Sequence, residues 1–498
     1  MIPFLGYAPD LDPTIPGVMT NCSAIVPSAK GFKGAPTPVS VGLPALEAAC
    51  FGAALMRKTD DTTRLFAGTS TKLFEAGTSS WTDRSGTVTG LGTADQWRFA
   101  QFGDVSLAVA KTEILQALTT GSAFANATST APKGSIVETV NNFVFLFDVN
   151  DQGALFDSAD RPDAWWCAAK GGHTSWAPSV TTEAATNNLR STSGKITAGR
   201  RFGYQIIAYK LKSMYIGTYV GSGPIWDFQL LPGEAGALSQ ESVVSVGTPD
   251  DPKHIFMGFD NFYLFSGGRA VPIGNVTPQG FMSPVKDTVF AELNTQYYYA
   301  CKSLHDAKNS VVYFFYPVSS AVTPDKCVVY NYRTNRWGRD DRTIEQVVEY
   351  ISAGITYDAL GATYSTYDDF PNLSYDLAFA SAQGSPLPAV FDTTHTVKTL
   401  TGVTANSSIT TGDYGDPDRF TDLVRVTPQF LTAPTSASLV NFYKDNLSDS
   451  LTTDQTTSLS RGRFDFLRSS RWHRGRFDLV GNHEISGFTP RSTEDGEE

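Results

Sequence analysis

Hydrophobic and polar positions alternate along most of this chain in short runs, each broken after a few residues by Gly, Asn, Asp or Ser. A period of two with turn residues between the runs predicts short strands joined by tight turns. Residues 64–75 read as two strands around a Gly-Thr-Ser turn, with Trp81 beyond, and residues 97–109 as a hairpin turning at Gly103-Asp104. Residues 137–149 carry the run Phe143-Val144-Phe145-Leu146-Phe147, and the pair Trp165-Trp166 follows. Residues 204–219 alternate around Lys212-Ser213 ahead of Trp226, and residues 255–265 turn at Asp260-Asn261. Residues 311–316 and 327–337 make the last clear pair. Helical signal is scarce: residues 44–56 suit a helix or a buried strand, and residues 343–353 are equally ambiguous.

Residues 326–337 read K-C-V-V-Y-N-Y-R-T-N-R-W. A β-branched and aromatic run leads to Asn335, whose side chain suits a turn with positive φ, and then to Trp337. Strand, turn and Trp at this spacing resemble one blade hairpin of the kelch type, with the Trp packed between blades. The hairpin units recur about 35 to 65 residues apart, which brackets the roughly 40 to 50 residues of a four-stranded propeller blade. The expected fold is mainly β, a degenerate β-propeller of roughly six or seven blades. A β-sandwich with insertions gives similarly spaced strands and stays open as the alternative.

The two ends differ from the body. Residues 1–45 are dense in proline, among them Pro3, Pro9, Pro13, Pro16 and Pro27. Proline fixes φ and cannot donate to a sheet, so this stretch is predicted to be an extended strap and not a folded module. Its apolar residues, such as Ile2, Phe4, Leu5 and Val18, imply that it lies against its own body or a neighbour. Residues 46–395 form the expected propeller-like body. Beyond about residue 395 the chain turns Thr/Ser-rich and then turn-dense. Residues 396–498 are therefore expected to form a smaller C-terminal β domain, or the strands that close the ring, ending in an acidic disordered tail at 492–498.

Composition narrows the function. At 498 residues the chain exceeds one ordinary core, so several domains or one large repeat architecture are expected. A formal net charge of −11 argues against a sequence-specific DNA binder, whose footprint is basic. It suits a wall past which DNA slides, because like charge prevents sticking. Cys22, Cys50, Cys167, Cys301 and Cys327 are odd in number, widely spaced and free of C-x-x-C, which points away from a disulfide framework or a zinc site and toward folding in a reducing cytoplasm. The first residues lack the basic-then-apolar pattern of a secretory signal. No apolar run approaches the roughly 20 residues of a membrane helix, so no membrane insertion is expected.

Candidate chemistry is sparse. The chain has no G-x-x-x-x-G-K-[ST] loop and no G-x-S-x-G elbow, and its six histidines are scattered without H-E-x-x-H. Residues 148–153, D-V-N-D-Q-G, resemble the start of a calcium loop, but Ala159 stands where the bidentate Glu belongs, so a polar turn after a strand is preferred. Residues 158–165 approach the S-x-D-x-G-x-x-W box of sialidase propellers, with Pro162 in place of Gly. That box is a structural turn; it favours a propeller without implying hydrolysis. A glycosidase needs two carboxylates facing each other about 5 to 9 Å apart. Asp340, Asp341, Asp368 and Asp369 are available for this, and read better as solvated loop carboxylates. Residues 461–477 interleave arginines with aromatics. That suits nucleic acid through phosphate pairing and stacking, or edge strands whose arginines pair with acidic loops of a neighbouring subunit, and the second is preferred. The expectation is a protein that is not an enzyme, with no catalytic residue, cofactor or metal site assigned.

A succession of phrases along the chain resembles the tail hub, or nozzle, proteins of short-tailed bacteriophages, also called packaged-DNA stabilisation proteins. In order they are A-P-D-L-D-P-T-I-P-G-V-M, A-G-T-S-T-K-L-F-E with W-T-D, W-R-F-A-Q-F-G-D, R-P-D-A-W-W, and S-M-Y-I-G-T-Y-V-G with I-W-D-F. M-G-F-D-N-F-Y-L-F-S-G-G, V-Y-N-Y-R-T-N-R-W and I-T-T-G-D-Y-G complete the set. The resemblance implies a structural virion protein forming a ring of about six copies, a closed homohexamer. Such a ring continues the DNA channel below the portal and adaptor, retains packaged DNA and allows its ejection. It implies tail fibre or spike and needle or plug proteins as neighbours, genomic DNA passing without sequence-specific binding, and a place in the virion tail after assembly in the host cytoplasm. The alternative, from the box-like turn, is a propeller-type glycosidase or glycan-binding tail protein.

Overall fold

The computed structural model describes residues 1–92, 94–151, 160–221, 223–273, 284–351 and 386–494. Among these, the chain is built almost wholly of short strands, with one α-helix, Lys286–Glu292. Six separate four-stranded antiparallel sheets give it a six-bladed β-propeller arrangement. Five are meanders taken in chain order, opening with Gly52–Arg57, Arg98–Phe102, Lys133–Val140, Ile196–Phe202 and Val243–Gly247. The sixth combines Ile344–Tyr350, Leu387–Asp392 and Val397–Thr404 with Pro36–Ser40 from the N-terminal segment. A further four-strand meander, from Lys302–Asp306 to Arg336–Arg339, has the same form but continues into a ten-stranded sheet.

The sequence-predicted hairpins occur at their expected places. Phe102 pairs with Val105 across Gly103-Asp104, Tyr209 with Met214 across Lys212-Ser213, and Met257 with Phe262 across Asp260-Asn261. At the tip between Val140 and Phe143, Asn141 and Asn142 both adopt positive φ, the backbone a two-residue hairpin turn of type I′ requires. Residues 44–56 form no helix, nor do residues 343–351, the described part of 343–353; their regular parts are the strands Gly52–Arg57 and Ile344–Tyr350.

Clustering of contacts divides the chain into two compact units. One comprises Pro38–Leu231 and Ile344–Thr401, the other Met1–Thr37, Pro232–Thr343 and Gly402–Glu498. In the first unit, the opening strands of successive blades lie side by side. The run Phe143–Asn150 explains how the blades stack. Val144 and Leu146 enter one core with Leu107 and Trp166, while Phe143, Phe145 and Phe147 enter another with Trp165 and Trp226. Successive side chains of a strand point to opposite faces, and here a neighbouring blade covers each face, so a continuous apolar run replaces the usual alternation. The adjacent Trp165 and Trp166 are divided between the two cores for the same reason.

The second unit holds the blades opening at Val243–Gly247 and Lys302–Asp306 together with a two-sheet sandwich. The sandwich is made of C-terminal strands and of strap strands. Val18–Ser23 pairs with Ser407–Thr411, Phe32–Gly34 with Glu484–Glu494, and Ile25–Pro27 bridges to Arg336–Arg339. Phe4 is buried against Phe32, Phe477 and Phe488, with ring centroids 5.6 to 6.3 Å apart. The strap therefore lies on its own chain as integral strands. Gly17 permits this crossing: its φ is +85°, and a Cβ there would stand 2.0 Å from the Pro3 carbonyl oxygen. Residues 395 and 396 fall in the turn between Leu387–Asp392 and Val397–Thr404. Of the acidic tail, residues 492–494 end the strand Glu484–Glu494, where disorder was expected; residues 495–498 lie outside the described residues.

Candidate functional site

Residues 326–337 form one hairpin, Lys326–Asn331 with Arg336–Arg339, in which Tyr330 faces Trp337. Its turn is held by Asn331, whose Oδ1 accepts from the Arg333 and Thr334 amides at 3.0 Å each. Asn335 sits at φ +58°, and the Tyr330 hydroxyl donates to its Oδ1 at 2.6 Å. Trp337 is fully buried and packs on Phe262 of the preceding blade at 4.9 Å as well as on Tyr330 at 4.8 Å. It is an inter-blade packing residue.

Four of the six arginines of residues 461–477 pair with acids of the same chain. Arg463 and Arg425 both reach Asp465 at 3.1 Å, Arg468 pairs with Asp454, Arg476 with Asp478, and Arg474 with the buried Asp413 at 2.7 Å. Arg468 also lies over Tyr443, and Arg471 over Phe420 at 5.0 Å. Arg463, Arg468, Arg474 and Arg476 thus find acids two to 61 residues away in the same chain.

The remaining sequence candidates are structural. Residues 160–165 belong to the strand Asp160–Cys167, not to a turn, and Asp160 pairs with Lys111 at 2.6 Å; Ser158 and Ala159 lie outside the described residues. Asp148 is half of a β-bulge at φ +52°, held by Lys111 and Ser135, and the rest of the calcium-loop-like run beyond Asp151 is outside the described residues. Asp340 is not solvated but buried against Arg342 at 2.7 Å, whereas Asp341 is exposed, as expected, and bridges Lys326 and Arg339. Asp368 and Asp369 lie outside the described residues. All five cysteines are buried and free, and burial pushes the Cys167 thiol up to about 12. Among the described residues, no three His, Cys, Asp or Glu side chains gather as a metal site, and no helix is long and apolar enough to cross a membrane.

One cluster was not singled out from sequence. In the first unit, Glu138, Arg200 and Glu349 come from the opening strands of three blades. Burial raises both carboxyls above the ordinary range, and the Arg200 charge acts on each in the opposite sense. Glu349 keeps contact with water while protein surrounds it closely enough to raise it. The only sequence sign is a charge interrupting apolar alternation, as in V-E-T-V.

No family model matches the chain, and no curated protein matches it. It is similar to solved structures of low identity. YCF48 from Cyanidioschyzon merolae is 13% identical with a TM-score of 0.33, over 64% of this chain and 92% of that one. The extracellular domain of the one component system BT4673 from B. thetaiotaomicron is 7% identical with a TM-score of 0.40. That match covers 82% of this chain and 43% of the BT4673 chain, so this chain spans less than half of that protein's length.

Proposed function

We propose that this protein is a structural component of a short phage tail, a hub or nozzle whose copies form a ring of about six. The ring continues the DNA channel below the portal and adaptor, retains packaged DNA and releases it on ejection, with no catalysis of its own. The observation that carries the reading is the placement of the resembling phrases. A-G-T-S-T-K-L-F-E spans the turn between Thr63–Gly68 and Leu73–Ala76, W-R-F-A-Q-F-G-D the strand Arg98–Phe102 and its turn, and R-P-D-A-W-W the strand Asp160–Cys167. M-G-F-D-N-F-Y-L-F-S-G-G and V-Y-N-Y-R-T-N-R-W each span a blade hairpin. The phrases thus fall in order on successive blades, and the first and last meet where Val18–Ser23 pairs with Ser407–Thr411. The net charge of −11 supports a duplex passing without phosphate–arginine trapping.

The reading is tested by electron microscopy of the purified full chain, alone and mixed with its head-to-tail adaptor. Cyclic rings are expected in at least one condition. Monomeric particles in both would sink the proposal.

A further inference from the structure

Three tyrosines stand together in the unit that holds the sandwich. Tyr297, Tyr298 and Tyr299 lie on the 3₁₀ turn Thr295–Ala300, half-buried, and the Tyr299 ring lies 5.8 and 6.1 Å from the other two. Asn294 fixes the turn to the following blade: its amide and its Nδ2 donate to the Pro317 and Ala321 carbonyls at 2.9 Å each, and its Oδ1 accepts from the Gln296 amide. No charged residue occurs in residues 293–301. Tyrosine without neighbouring charge is the composition of the centre of a protein–protein contact, and rings already held in place lose little freedom on binding.

A second surface of the same unit also lacks charge. It is one end of the sandwich, where residues 402–405, 431–436 and 480–482 meet. The Thr435 amide donates to the Val480 carbonyl at 2.8 Å, and the Thr404 hydroxyl to Asn482 Oδ1 at 3.2 Å. Val403, Leu431 and Val480 are 79%, 48% and 40% exposed, Ala433 is exposed too, and Pro434 is half-buried. Neither residues 399–412 nor residues 426–443 contain a charge. A lipid surface would call for cations and aromatic anchors on these loops, and they carry neither.

The two surfaces belong to opposite parts of one sheet. From Lys302–Asp306, the first strand after the tyrosines, to Thr421–Thr432, the strand that leads into the tip, the ten-stranded sheet passes through seven ladder steps. At about 4.8 Å per step that is roughly 34 Å along the sheet. A closed ring is built from head-to-tail contacts, so each copy needs two different surfaces, one for each neighbour. With a net charge of −11, copies approach with least repulsion where both surfaces are uncharged. We infer that residues 297–299 of one copy receive the tip at residues 431–434 of the next, with Leu431 and Pro434 packing on the tyrosine rings. The inference rests on the ring reading and names the contact that closes the ring.

The test uses the full chain, alone and mixed with its adaptor, with the photoreactive p-benzoylphenylalanine in place of Tyr298 and half of the copies labelled with nitrogen-15. After irradiation, cross-links between a light and a heavy copy are expected from position 298 to residues 431–436. Leu431→Asp, at a side chain already half in solvent, should keep the circular dichroism of the parent chain and raise the concentration needed for rings by about tenfold or more, as for a central contact. Rings whose cross-links fall elsewhere, or rings that form unchanged in Leu431→Asp, would overturn this contact and leave the ring reading standing. Monomers in both conditions would overturn the two together.

Discussion

Trp337 is enclosed by Tyr330, Phe262 and Phe314, with ring centroids 4.8 to 6.0 Å away, and its indole Nε1 has no hydrogen-bond partner. Its contribution is therefore packing. Trp337→Ala should cost about 3–5 kcal/mol in chemical denaturation followed by circular dichroism, since the cavity lies between two blades. Trp337→Phe, which keeps an aromatic ring and removes the orphaned N–H, should lose much less. Equal losses in the two variants would mean that the indole nitrogen matters after all. At this scale the sequence was informative where the cause is local. Asn335 in a positive-φ turn follows from its side chain, whereas the Asn331 side chain that holds the same turn was not picked out, because an Asx turn uses a residue that otherwise passes as part of the strand.

At the scale of elements, hairpins were legible and their long-range partners were not. Residues 143–147 read as a strand because of their composition, but only the stacking of blades shows why all five are buried. The strap is the clearest case. Proline content predicted an extended segment, yet six short strands occur between Ile2 and Ser40, and three of them, Ile2–Pro3, Ile25–Pro27 and Pro36–Ser40, include proline. Phe4 and Phe32 complete a core otherwise built from Phe464, Phe477 and Phe488. A chain starting at residue 35 should therefore lose the sandwich. Limited proteolysis is expected to cut it within residues 402–494, while the full chain resists there. Equal resistance in both would show that the C-terminal strands stand without the strap.

At the scale of the whole molecule, buried histidines set the response to mild acid. Burial holds His305, His473 and His483 below the ordinary imidazole range. The unfolded chain therefore binds more protons than the folded one as pH falls below about 6.5, so stability is lost on acidification through that window. Glu138, Glu349 and Asp340 act oppositely at lower pH: burial raises their carboxyls, and the folded chain takes up their protons first. Thermal unfolding should fall between pH 7 and pH 5.5 and flatten below. Replacing these three and His173, which burial also lowers, by Gln should remove the fall; a slope unchanged in that variant would assign it to other groups.

The sequence by itself determined the class of fold and the positions of its hairpins, because period-two patterning and turn chemistry act within a few residues. Tertiary structure alone decided where each edge and each charge found its partner. Arg474 meets an aspartate 61 residues away, and the strap meets strands more than 380 residues on. The same holds for His473, unremarkable in a list of six histidines until its Nε2 met the Thr421 carbonyl. Such pairings depend on which surfaces the folded core leaves adjacent, and local pattern carries no record of them.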